Sequence, residues 1–122
     1  MAKVLGIGGV FFKSPDPARL HKWYREHLGF PDGDDGVAFT PDMLPPGSFS
    51  VFGVFPEKTE YFEPSYNSFM FNLIVDDVDQ ALQQVEEGGA QIVGEPIEYE
   101  YGKFGWFIDP DGNKVELWQT SY

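Results

Sequence analysis

The stretch Lys103-Phe104-Gly105-Trp106-Phe107-Ile108-Asp109-Pro110-Asp111-Gly112-Asn113-Lys114-Val115-Glu116-Leu117-Trp118-Gln119 reads as a β-hairpin. Proline after Asp109 supplies the φ near −65° that a type I turn wants, and Gly112 supplies a positive φ two residues later. Strands are expected over Lys103–Asp109 and Asn113–Gln119. Strand alternation places Val115 and Leu117 on a face packed against helices, and Glu116 and Trp118 on the opposite face. A register that pairs Phe107 with Val115 sets Trp106 beside Glu116 on that second face.

Upstream of the hairpin, Phe69–Val75 is an aromatic and β-branched run. By alternation Phe71, Leu73 and Val75 face the helices, and Met70, Asn72 and Ile74 the other side. Asp77 and Gln80 form a capping pair, Val78, Ala81, Leu82 and Val85 recur on one helical face, and Gly88-Gly89 ends the helix. The same statement stands near the beginning of the chain. Val4–Phe12 is a strand candidate, Asp16-Pro17 an N-cap followed by a first-turn proline, and Leu20, Trp23, Tyr24, His27 and Leu28 one helical face closed by Gly29. A shift of 61 residues superposes Asp16 on Asp77, Phe12 on Leu73 and Gly9 on Met70. Further strands are expected at Gly36–Thr40, Ser48–Phe55 and Gln91–Val93, with 56–68 as a linker. The expectation is one α+β domain over 1–122, made of two βαβββ repeats at about 1–60 and 61–122.

Composition narrows the function. Acidic residues outnumber basic ones 20 to 8, a formal charge of −12, which disfavours nucleic acid and anionic membrane surfaces as partners. No cysteine is present, so disulfides and thiolate chemistry are excluded. Neither a signal peptide nor a membrane span is apparent, so a cytoplasmic location is expected. The 12 Phe, 6 Tyr and 3 Trp exceed what a core of this size needs, so some rings are expected to line or cover a ligand site.

The order Asp16-Pro17, Trp23-Tyr24, Leu28-Gly29-Phe30, Val75-Asp76-Asp77-Val78 and Asp109-Pro110-Asp111-Gly112-Asn113-x-x-Glu116-Leu117, together with the repeat, resembles the vicinal oxygen chelate superfamily. That group contains glyoxalases, bleomycin-resistance proteins and extradiol dioxygenases. The resemblance implies a U-shaped open barrel with helices outside, a site in its concavity, and in many relatives a homodimer. It also implies four positions from which enzymes of the group hold a divalent metal. These fall on Gly9, Met70, Val51 or Phe52, and Glu116. Only the last carries a ligand suited to the harder divalent ions, and catalytic metal sites normally have three. No cofactor is therefore expected.

The remaining candidates are residues of the second face. Glu116, beside Trp and Phe, would have its charged form disfavoured by desolvation and can then serve as general acid or base, or can pair with a cationic ligand. The plainer alternative is a hydrogen-bonded strand carboxylate. Tyr99 and Tyr101 can donate hydrogen bonds while Phe104, Trp106, Trp118 and Phe11 stack on a ligand; cross-strand packing explains the same rings. Asn72 either contacts ligand or finds an internal partner. His21 and His27 read as helix-packing residues, and the run Asp32-Gly33-Asp34-Asp35 as a solvated loop. The leading expectation is a metal-independent, aromatic-lined small-molecule pocket, with Glu116 as the catalytic candidate should there be a reaction. A metal-dependent lyase, isomerase or dioxygenase using Glu116 is the first alternative. A non-catalytic dimerising module that uses Tyr61, Phe62 and Tyr66 is the second.

Overall fold

The computed structural model describes residues 1–33 and 36–121; Asp34 and Asp35 of the acidic run, and Tyr122, lie outside the described residues. Helix α1 spans Pro17–Leu28. Asp16 caps it by accepting from the Arg19 amide at 3.2 Å, and Gly29 closes it in the left-handed region at φ 64°. Helix α2 spans Val78–Glu87, capped by Asp77 on the Gln80 amide at 2.9 Å. Among the described residues five strands form one mixed sheet: β1 (Phe71–Ile74), β2 (Gln91–Ile92), β3 (Ile97–Tyr99), β4 (Gly102–Ile108) and β5 (Lys114–Thr120). The order is β1-β5-β4-β2, with β3 also on β4. Strand β1 runs parallel to β5 and the other pairs are antiparallel.

The hairpin has the expected register, Phe107 opposite Val115 and Trp106 opposite Glu116. Its turn is held by one buried carboxylate. Asp109 Oδ1 accepts from the amides of Asp111 and Asn113, each at 2.9 Å. Its Oδ2 accepts from the Asn113 amide nitrogen at 2.9 Å and the Tyr24 hydroxyl at 2.8 Å. Because charge-assisted bonds are shorter and stronger than neutral ones, this knot joins α1 to the hairpin through the core.

Alternation sorts the sheet into two faces. On one, Phe107, Val115 and Leu117 are fully buried beneath Leu20, Trp23 and Tyr24 of α1 and Val78, Ala81, Leu82 and Val85 of α2. Phe71, Leu73 and Val75 join them, as expected. The two helices are tied by Trp23 Nε1 donating to the Gly88 carbonyl at 2.9 Å and Gln84 Nε2 donating to the His27 carbonyl at 2.9 Å. His27 packs against Gly88 and the Trp23 ring, so its role is the helix contact that its spacing suggested. On the other face, Phe104, Trp106 and Trp118 form a second buried cluster with Met70, Ile74 and Val93.

The first half departs from expectation. Residues 4–12, 36–40 and 48–55 form no strand, and β3 appears where none was expected. Val4–Phe12 holds three glycines, which weaken a strand, and Pro45-Pro46 and Pro56 bound 48–55. Such segments depend on long-range pairing rather than on local preference. Their side chains nevertheless reach the sheet and the residue after the C-cap of α1. Phe12 packs on Phe71 at 4.5 Å between ring centroids, Phe49 on Trp118 at 5.1 Å, and Phe39 on Phe30 at 5.3 Å.

Candidate functional site

Glu116 stands at the centre of β5 on the face away from the helices, half-buried. Its two lateral neighbours are fixed by sheet register: Asn72 from β1 and Trp106 from β4 lie directly opposite. Both donate to it. Asn72 Nδ2 reaches Oε1 at 2.7 Å, and Trp106 Nε1 reaches Oε2 at 2.9 Å. A third donor comes from outside the sheet, where the Tyr61 hydroxyl bonds Oε2. Two strands and the linker thus each supply one donor to a single carboxylate. A carboxylate offers about four lone-pair positions, so among the described residues one on the Asn72 side meets no protein donor.

Lys114 shares this face, two residues before Glu116 on the same strand. It is buried, donates to the Tyr61 carbonyl at 2.5 Å, and holds its ammonium 5.1 Å from the centre of the Tyr61 ring. Burial pulls the Lys114 ammonium below its ordinary value, and the charges of Glu116 and Glu63 partly restore it. Tyr61 moves the other way. Burial raises its hydroxyl first, and the hydrogen bond to and charge of Glu116 raise it further, so the phenol keeps its proton and remains a donor.

The aromatic wall continues along the sheet. Phe104 stacks on Trp118 at 5.9 Å with an interplanar angle of 6°. Tyr99 and Tyr101 stack on one another at 5.8 Å and each meets Phe104 at 5.7 Å. The Trp118 indole donates to the Tyr101 carbonyl at 3.0 Å. Of the residues expected at the site, Glu116, Asn72, Trp106, Phe104 and Trp118 are brought together, and Tyr99 and Tyr101 flank them at about half exposure. Phe11 is not. It is 96% exposed, because the segment that carries it does not pair with the sheet.

Two contributors were not anticipated. Lys114 was legible, since the alternation that selects Glu116 and Trp118 also selects position 114. Tyr61 sits in an irregular linker whose spacing carries no periodic signal.

The metal positions implied by the superfamily do not form a ligand set. Met70 packs in the aromatic cluster, Gly9, Val51 and Phe52 are exposed, and Glu116 is engaged by three donors. Among the described residues no three His, Cys, Asp or Glu side chains converge. These donors do not fit a divalent ion of the kind the superfamily's enzymes use. Two hollows lie elsewhere in the molecule. One of about 330 Å³ is lined by Arg19, Trp23, Gly88–Ala90 and Ile108–Pro110, and one of about 310 Å³ by Val4–Ile7, Ser50 and Phe52.

A family model described as a glyoxalase-like domain matches residues 9–118. No curated protein sequence matches the chain. Among solved structures, a member of the glyoxalase/bleomycin resistance protein/dioxygenase superfamily from Sphaerobacter thermophilus is 27% identical. The match covers 85% of this chain and 88% of that one, at a TM-score of 0.51. The antibiotic binding protein TnmS3 from a Streptomyces species is 28% identical over 87% of this chain and 88% of its own, also at 0.51. A hypothetical protein from S. aureus is 30% identical at a TM-score of 0.40, and this chain spans half of its length, 50%.

Proposed function

From a chain that belongs to the glyoxalase-like domain family of the vicinal oxygen chelate superfamily, we propose a protein that binds a small molecule on the Glu116 face of its sheet without a metal. One observation carries this reading: a half-buried carboxylate, with one lone-pair position that meets no donor among the described residues, set among Trp106, Trp118 and Phe104 on the side the helices leave uncovered. Aromatic walls with a few convergent polar groups are the usual make-up of a ligand site. The similarity to an antibiotic binding protein over 87% of the chain supports a sequestering role of the bleomycin-resistance type.

The second wall of the pocket belongs to the first half. Residues 4–12 and 48–55 carry Ile7, Val10, Val51, Phe52 and Val54 exposed, and the 61-residue offset sets Phe12 on Leu73 of β1 in the half that forms the sheet. Folding these segments over the Glu116 face produces two βαβββ units in a U-shaped open barrel, with the ligand between them.

Thermal shift against a panel of planar aromatic compounds tests the reading. A binder raises the melting temperature as RT ln(1 + [L]/Kd). The shift should vanish in Trp106→Ala and weaken in Trp106→Phe, which keeps a ring but lacks the indole donor. Shifts that survive both substitutions unchanged overturn the site. Stoichiometric metal in the purified protein, lost in Glu116→Gln, would instead establish the metal-dependent alternative.

A further inference from the structure

The Tyr61 side chain is bound to the Glu116 face as a ligand would be. Its ring stacks on Phe55 at 5.6 Å with an interplanar angle of 7°, and stands edge-on to Trp106 at 6.3 Å. Its hydroxyl donates to Glu116, and the Lys114 ammonium lies against its π system. Yet it comes from a linker with no regular structure. Ser65 and Asn67 anchor the base of that linker, donating to the Gly112 carbonyl at 2.6 Å and to Asn113 Oδ1 at 2.7 Å. Nearer its tip, Tyr61 accepts from Lys114 and donates to Glu116. The tyrosine remains 38% exposed.

We propose that Tyr61 is an internal stand-in for the ligand, and that the site takes a neutral, planar hydroxyaromatic molecule that displaces it. The inference rests on the small-molecule reading of the Glu116 face and narrows it. A phenol supplies the hydroxyl donor that Glu116 accepts from Tyr61, and a flat ring fills the space beside Trp106. The chemistry also selects against a cation. Lys114 is buried beside the ring, so an incoming positive charge would meet an ammonium, whereas an electron-rich ring face attracts one. A hydroxyl is distinguished from its methyl ether because only the first can replace the bond that Tyr61 gives to Oε2 of the half-buried carboxylate.

Binding to a protein whose site is occupied by its own side chain is weakened by the fraction of time the site is closed. Removing the side chain removes that penalty. Calorimetric titration of 2-naphthol and of 2-methoxynaphthalene into wild type, Tyr61→Ala and Tyr61→Phe is the test. Tyr61→Ala should bind 2-naphthol about tenfold tighter than wild type, and Tyr61→Phe, which loses only the hydroxyl anchor, should change in the same direction by less. Should the alanine variant fail to fold, the phenylalanine variant carries the comparison alone. Adding Glu116→Leu to either, which removes the acceptor, should erase the preference for the naphthol over its ether.

Unchanged or weaker naphthol binding on loss of the Tyr61 side chain overturns the inference, as does equal binding of the ether. If panel aromatics still bind through Trp106 in that case, the pocket stands and only the ligand class falls. If no aromatic binds wild type or either variant, the pocket falls with it.

Discussion

Tyr24 and Asp109 meet across 85 residues of sequence through a single 2.8 Å hydrogen bond inside the protein. The tyrosine hydroxyl is raised far above its ordinary value of 10.0, first by burial and then by the charge and hydrogen bond of Asp109, with Asp111 adding to them. Two outcomes are expected. Tyr24→Phe leaves Asp109 short of one donor and should lower stability by about 1–2 kcal/mol, read from the urea midpoint. Because the folded value lies above the unfolded one, the stabilisation is complete below the unfolded value and is lost as pH rises past about 10. Tyr61, also raised, acts in the same direction, while Lys114, lowered from 10.5, gains stability as pH climbs towards that figure. Wild type should therefore weaken above about pH 10, and Tyr24→Phe should weaken less steeply; identical alkaline slopes would contradict this account of the buried pair. Glu116, Asn72 and Trp106 were legible as one group because strand period and hairpin register are local rules. The partnership of Tyr24 with Asp109 was not, since periodicity says which face a residue occupies and not which buried polar group it meets.

At the scale of elements, the start of β4 is tightly constrained. Gly102 has φ +143°, and a Cβ there would fall on the Gln119 carbonyl oxygen and within 2.6 Å of the Trp118 indole nitrogen. A backbone carbonyl in the β4–β5 ladder cannot move aside as a flexible side chain can. Gly102→Ala should cost about 2 kcal/mol or more, lower the urea midpoint without altering the slope, and shift the Trp118 indole resonance. A neutral substitution would show that this strand end is looser than described. Both helices were legible from caps and spacing, because a helix closes its own hydrogen bonds. The strands of the first half were not, because a strand exists only through its neighbour. Val4–Phe12 has strand-forming residues, but three glycines leave it little local preference to hold an extended shape unpaired. Short β3 was missed for the converse reason: Ile97–Tyr99 is mostly exposed and is defined by its pairing with β4.

The molecule as a whole exposes 9022 Å² of accessible surface, against about 6,600 Å² for a compact monomer of its mass. Much of the excess is apolar and belongs to the first half, with Phe11, Phe52 and Val54 each more than four-fifths exposed. Among the described residues no helix is long and apolar enough to cross a membrane. Closure of the first-half segments over the Glu116 face would withdraw this surface from water. Hydrogen exchange measures that closure directly. Amides of residues 4–12 and 48–55 should exchange freely in the absence of ligand and become protected when 2-naphthol is bound to Tyr61→Ala, while those of β4 and β5 stay slow throughout. Unprotected first-half amides in the bound state would remove the second wall from the proposal. A homodimer is the other way to cover the same surface, and sedimentation of the free protein separates the two.

One feature of the sheet reaches beyond the finished molecule. Strand β5, with β1 on one side and β4 on the other, comes after all four of its companion strands in the chain. During translation β1 therefore has no edge to join until Lys114–Thr120 has left the ribosome, even though α2 and its caps can form as soon as they emerge. The nascent chain must carry β1 unpaired for that interval, a span of about seconds at ordinary elongation rates, while β2 and β3 can already pair with β4. Its net charge of −12 keeps such waiting chains apart by mutual repulsion. An acidic surface is thus as much a provision for the period of synthesis as for the folded protein's solubility.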